Sequence, residues 1–212
     1  MAGESHIGSD FRSGIRLPEP RQDSKLSVEA AMARRRSVRE FDRDALALVD
    51  ISRMLWAAQG TTDMQGRRTA PSAGATYPLE VLLVIGKEGA LPAGVYRYRP
   101  QGHELVRIAE GDLRGRLAAA ALEQEWLSHA PVTIVIAAVY ARAARKYKQR
   151  AERYVHMEVG HAAQNVHLQA AALGLGTVVV GAFDDTEVKR VLHLAENEDP
   201  LCLMPVGKPR IT

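Results

Sequence analysis

The stretch 154–173, YVHMEVGHAAQNVHLQAAAL, decides the architecture. Val155, Val159, Ala162, Val166, Ala170 and Leu173 recur at helical spacing on one face, and Gly174 supplies the expected stop. A long helix with one apolar face must bury that face against another layer. The flanking segments supply one. Leu79 to Ile85 and Val132 to Val139 are near-continuous apolar runs of strand length, suited to strands covered on both faces. Val95-Tyr96-Arg97-Tyr98 and Leu105-Val106-Arg107-Ile108 alternate around Pro100-Gln101-Gly102 and predict a hairpin. Thr177 to Ala182 and Leu201 to Val206 read as two further strands. Helices are predicted from Ser27 through Ala33, over Leu46 to Ala58, from Asp112 through the alanine tract to about Ser128, and over Asp184 to Leu194. The pattern is a mixed α and β domain with helices packed on a sheet.

The chain has 212 residues, 46% hydrophobic and 25% charged, which is enough to enclose one core. Residues 1–25, rich in Gly, Ser, Pro and charge, read as a mobile arm or extended segment, and 26–212 as the single domain. No apolar run approaches the roughly 18 residues that span a bilayer, and the start lacks an apolar signal segment. A cytoplasmic protein without a membrane partner is expected. The single cysteine, Cys202, lies in Leu201-Cys202-Leu203-Met204 and reads as a small core residue. The net charge of +3 raises the question of nucleic acid, but the cations fall in two clusters, Arg34 to Arg39 and Arg142 to Arg153. With 5% aromatic residues and no helix-turn-helix, zinc-finger or aromatic-bearing sheet signature, nucleic acid is not the expected partner. A solvated basic face or a small anionic ligand remains.

Three segments carry candidate chemistry. Arg35-Arg36-Ser37-Val38-Arg39 places guanidinium forks and a hydroxyl together, which suits a phosphate and the carbonyl edge of a conjugated ring; an exposed patch at a helix end is the alternative. Pro71-Ser72-Ala73-Gly74-Ala75-Thr76-Tyr77-Pro78 is a small-residue loop whose backbone can approach a flat ligand, although a plain turn also explains its Gly and Pro. Tyr77 could stack on a ring or fill the core. A phosphate together with an aromatic ring is what flavin mononucleotide (FMN) presents. Lys146-Tyr147 sets a potential acid and base side by side before the long helix, where neighbouring cations could tune them. Other motifs are rejected. Gly174-Leu175-Gly176 has Val179 where a third glycine belongs and stands in helix-then-strand order, and His156, Glu158 and His161 lack metal-ligand spacing.

These residues in this order resemble the FMN-dependent nitroreductase superfamily, closest to its SagB-type branch of azoline dehydrogenases. The resemblance covers residues 26 to 210 and rests on Arg35 to Phe41, Leu55 to Gly60, Pro71 to Leu79, Gly94-Val95-Tyr96, Glu158 to Asn165 and Gly174 to Thr177. It implies an α+β three-layer fold, a central mostly antiparallel sheet flanked by helices, in an interwoven homodimer with FMN at the interface. Arg35, Arg36, Ser37 and Arg39 would hold the cofactor from one subunit, with Lys208 and Arg210 returning toward the phosphate. Pro71, Ser72, Ala73 and Gly74 would reach the ring from the second subunit, and Val180 and Gly181 would lie along its other edge. Lys146 and Tyr147 match a Lys-Tyr pair assigned to proton abstraction. The better-known nitroreductases usually carry Asn at the position of Ala75, and one group has Glu at Val180, so backbone groups would serve the ring there.

The implied function is two-electron transfer through FMN to or from a small-molecule or peptide-derived substrate. An NAD(P)H-dependent nitro or quinone reductase is the alternative reaction. A non-catalytic flavin-binding protein, or a basic adaptor using the 142–153 face, is the alternative of another class.

Overall fold

Strands β2 (Leu79–Ile85) and β5 (Val132–Ala138) run antiparallel through the middle of the sheet, with Leu79 opposite Ala138 and Ile85 opposite Val132. The structure is a computed structural model describing residues 14–20, 23–87 and 89–210. Around that pair lie β1 (Ile15–Arg16), β3 (Gly94–Arg99), β4 (Glu104–Glu110), β6 (Gly176–Thr177) and β7 (Asp199–Gly207), in the order β1-β4-β3-β2-β5-β7-β6. Every neighbouring pair is antiparallel.

The apolar runs are explained by cover on both faces. Leu79, Val81, Leu83 and Ile85, with Val132, Ile134, Ile136 and Ala138, pack beneath α2 (Leu48–Gln59), α5 (Tyr140–Tyr147) and α6 (Ala151–Ala172). The alternate residues Leu82, Val84, Val135 and Ala137 face α3 (Arg114–Ala120), α4 (Trp126–His129) and α7 (Asp185–Leu192). Side chains alternate across a strand, so cover on both faces makes these runs almost wholly apolar; the exceptions are Glu80, paired with Arg97 and Arg142, and the buried Thr133. The result is the expected three-layer α+β fold. Cys202 is buried with its thiol pushed up to about 12 by desolvation, a core residue as predicted. Helix α1 (Val28–Arg34), capped by Ser27 whose hydroxyl accepts from Ala30 N–H, rests against α6.

The structure corrects the sequence reading in four places. The predicted helix from Asp112 to Ser128 is two short helices, because Leu122 and Glu123 take left-handed φ values of 56° and 58°. Asp112 does not sit at the cap position; its carboxylate grips the Arg114 side chain at 2.7 Å. The predicted strand over Thr177 to Ala182 is reduced to Gly176–Thr177 and an isolated bridge from Val180 to Leu203. Helix α5 has no counterpart in the sequence reading: its inward stripe is the short set Tyr140, Ala143, Ala144 and Tyr147, of which only Ala143 is fully buried, interleaved with Arg142, Arg145 and Lys146. Of the predicted arm, residues 1–13, 21 and 22 lie outside the described residues, while Ile15 and Arg16 form an edge strand on β4.

Candidate functional site

Two polar clusters stand at opposite halves of α6. At its C-terminal end, Gly174 turns the chain at φ +69° and releases Gly176-Thr177 toward the sheet edge. Ser37 pairs beside Thr177 in a parallel bridge, and Val38 N–H donates to the Thr177 carbonyl at 3.0 Å. Gly176 is required there, because a Cβ would stand 2.6 Å from Val38 Cβ. The strip continues into the C-terminal tail: Asp42 N–H donates to Lys208 O and Arg210 N–H to Glu40 O, both at 3.0 Å. Backbone pairing therefore carries Arg35, Arg36, Ser37, Arg39, Lys208 and Arg210 to one edge.

Their side chains differ in freedom. Arg35 lines a cleft of about 370 Å³ with Arg36, Val38, His167, Thr177 and Pro209. Inside it, Thr177 Oγ1 and His167 Nδ1 are buried without a hydrogen-bond partner among the described residues. Burial, aided by the Arg35 charge, holds His167 below the ordinary imidazole range. Arg36 donates to Ala33 O at 2.9 Å and Arg35 O at 2.7 Å, closing its own helix end. Arg39 stands 5.8 Å from the Trp126 ring, and Lys208 lies 3.3 Å from Asp44 at the surface. Val180 is bonded through its backbone to Leu203 and its side chain is buried in the core, whereas Gly181 is exposed with open space about it.

The second cluster lies near the N-terminal half of α6. Residues Ala73–Ala75 make one tight turn in which Gly74, Ala75 and then Tyr77 take φ values of 57°, 53° and 43°. Ser72 Oγ accepts from Tyr77 N–H at 2.9 Å and ties the loop to itself. Lys146 Nζ lies 3.5 Å from the Gly74 carbonyl, and a Cβ on Gly74 would stand 2.5 Å from both Lys146 Nζ and Tyr147 Oη. The predicted loop and the predicted Lys-Tyr pair thus meet. Tyr147 is held edge-on by Tyr154 of α6, with ring centroids 4.8 Å apart.

Behind this loop lies Glu158, 2% exposed, with Oε1 buried and without a partner among the described residues. Burial raises its carboxyl to about 7, against the opposing pull of Ser72, Arg68 and Gln59. Arg68 donates to Gln59 Oε1 at 2.8 Å and lies 4.5 Å from the Tyr77 ring, while desolvation holds its guanidinium below the usual range. Arg142 donates to the Tyr77 carbonyl at 3.0 Å and pairs with Glu80, so its charge is bound into the scaffold.

Glu158, Arg68, His167 and Thr177 escaped the sequence reading as site residues. Glu158 stands on the apolar side of its helix, between Val155 and Ala162, and that placement was the available signal. Within one chain Arg35 and Ser72 do not meet: His167 beside the first and Glu158 beside the second are separated by nine residues, roughly 14 Å of helix. Among the described residues no helix is long and apolar enough to cross a membrane, and no group of three or more His, Cys, Asp or Glu forms a potential metal site.

A model of the nitroreductase family matches residues 32–208. The chain belongs to that family. A nitroreductase-type protein of Methanocaldococcus jannaschii is 47% identical over 194 residues, covering 92% of this chain and 96% of the relative. A nitroreductase crystal structure from Ralstonia eutropha superposes with a TM-score of 0.84 at 31% identity, over 97% of this chain and 93% of the other. A chain of the Escherichia coli microcin synthetase McbBCD complex, solved with truncated pro-MccB17 bound, aligns with a TM-score of 0.74 at 25% identity, over 99% and 79%. Nitroreductase-family membership makes this protein an oxidoreductase, and the likeness to the microcin synthetase chain is the more distant of the three.

Proposed function

We propose that the chain is an FMN-dependent dehydrogenase of the SagB type, working as a homodimer in which the 35–39 strip of one subunit and the 71–74 loop of the other flank one flavin. The observation that carries this reading is the separation within one chain of two clusters that suit the two ends of one cofactor. The cleft end fits a phosphate and ribityl chain. Arg35 offers a charge-assisted fork there, and the orphaned Thr177 Oγ1 is a buried hydroxyl without a partner. Lys208 and Arg210 would add charge from the tail, and Arg39 would supply a fixed cation for the ring edge.

When bound, FMN supplies a two-electron acceptor for a hydride equivalent. Pro71 to Gly74 present backbone groups to the ring face, and Gly181 leaves room along its edge. Lys146 Nζ and Tyr147 Oη stand over that loop, and one of the two, in its unprotonated form, would take the proton that a substrate C–H or N–H gives up. Tyr154 holds the phenol in place.

Purified protein should be yellow, with absorbance bands in the blue and near ultraviolet, and should elute as a dimer. A colourless protein that takes up no FMN sinks the reading. Anaerobic mixing with NADH and NADPH separates the two reactions: rapid bleaching of the flavin by either one favours the reductase.

A further inference from the structure

Residues 140–157 carry six cations and one acid, Glu152, a local charge of +5 in a chain whose whole charge is +3. The rest of the molecule is net negative, so this corner is not a sample of an overall basic surface. Arg145, Lys146, Lys148, Arg150 and Arg153 are all exposed, and none has a carboxylate within ion-pair distance among the described residues. Elsewhere Arg97, Arg99, Arg107 and Arg190 each hold a carboxylate.

Helix electrostatics account for only part of the cluster. Arg145 and Lys146 sit in the last turn of α5, where cations are favoured. Lys148, Arg150 and Arg153 stand at the start of α6, where the helix dipole opposes positive charge, and Arg150 makes no capping bond. Lys148 also takes a left-handed φ of 49°, a strained conformation for a residue with a long side chain. Charges placed against their local field mark a surface selected for something other than stability.

We infer that the α5–α6 corner, Arg145 to Arg153, is a docking surface for an acidic polypeptide segment. The cations span two helices and the turn between them, too broad a spread for a single phosphate. The adjoining depression, lined by Arg153, His156 and Met157, is shallow, and the 53% exposed Met157 offers an apolar foothold beside the charge. Lys146 belongs both to the patch and to the contact with Gly74, so a docked segment lies against the Lys-Tyr pair. The inference stands on charge placement and does not require the flavin assignment.

The test uses the full chain and a fluorescein-labelled peptide of Asp, Glu and Leu, with its Asn, Gln and Leu counterpart as control. The acidic peptide should bind, lose affinity several-fold as salt is raised, and lose at least tenfold in an Arg145→Glu/Arg150→Glu/Arg153→Glu variant. A charge-matched variant at exposed sites elsewhere, Arg43→Glu/Lys87→Glu/Arg116→Glu, should keep most of the affinity. Because reversal relieves unfavourable charges at the start of α6 and loses a favourable one, Arg145, at the end of α5, the first variant should melt close to the parent. An Arg145→Gln/Arg150→Gln/Arg153→Gln variant should give an intermediate loss. Equal losses in the two reversal variants, no binding of the acidic peptide, or a single-stranded oligonucleotide of equal charge binding more tightly would each overturn the inference. Flavin content, read by absorbance in the same samples, reports separately on the proposed function.

Discussion

The two ends of α6 are built by different means. At the C-terminal end, the 35–42 strip is fixed by main-chain pairing to Thr177 and to the tail at Lys208 and Arg210, so the positions of its cations follow from register. At the N-terminal half, the loop at Ser72 to Tyr77 is fixed by side chains converging from several elements: Arg68, held by Gln59 of α2 and set over the Tyr77 ring, Arg142 and Lys146 from α5, and Glu158 from α6. A main-chain anchor tolerates changes of side chain; a side-chain anchor does not. One end is therefore suited to holding a ligand and the other to responding to one.

The sharpest way to break this contrast is to remove the groups proposed to move protons. Tyr147→Phe and Lys146→Ala should each lower turnover by roughly 10²- to 10⁴-fold, the usual worth of a positioned acid or base. Flavin content should stay at the parent level, because neither residue belongs to the cleft end. Retained turnover in both variants, measured with any substrate the parent oxidises or reduces, removes the catalytic assignment.

Glu158 comes next. Its folded-state carboxyl, near 7, lies above its ordinary value of 4.5, so the folded protein binds this proton more tightly than the unfolded chain does. The associated stability is fully present below pH 4.5 and is lost as pH rises through about 7. Glu158→Gln keeps the shape and removes the titration. The variant should be more stable than the parent at pH 8 by about 1 to 3 kcal/mol, with the gap closing toward pH 4.5. Urea melts at both pH values check this; an equal difference at each shows that the buried carboxyl is not the titrating group.

At the other end, Arg35→Ala should weaken FMN binding by about 2 kcal/mol, roughly 30-fold, with little change in melting temperature. Titration followed by quenching of flavin fluorescence measures it. A loss at Arg36 equal to that at Arg35 would contradict the structure, in which Arg36 already serves two carbonyls of its own helix end.

The same contrast explains what could be read in the sequence. The 79–85 and 132–138 strands and α6 were legible because each is committed to burial by an apolar pattern that belongs to the segment itself. The arginine strip and the Pro-Ser-Ala-Gly loop were legible as composition. The break at Leu122-Glu123 was not, because the alanine tract before it suits a helix at every position, and the stop is set from outside, with Gln124 Nε2 donating to both Ala121 O and Ala182 O at 2.8 Å. Glu158 and Arg68 were missed for the same reason. A charged residue is ordinarily solvated, and only the tertiary arrangement of Gln59, Ser72 and Tyr77 shows that these two are not.

The smallest effect is expected at Gly74, and it tests whether the loop and the Lys-Tyr pair act as one unit. Gly74→Ala asks a side chain to share φ +57° in a loop where Ala75 and Tyr77 already hold left-handed angles, at a cost of about 1 kcal/mol. For a chain of this size that is a fall of about 2 to 4 °C in melting temperature. The new methyl also meets Lys146 Nζ and Tyr147 Oη, the far ends of two side chains, which can shift without unfolding anything. Turnover should therefore fall by more than the melting temperature implies, since displacing a proton-transfer group by a fraction of an ångström costs rate rather than stability. If turnover is unchanged while the melting temperature drops, the contact between Gly74 and the Lys-Tyr pair is only packing, and the responsive end of α6 must be sought at Glu158 instead.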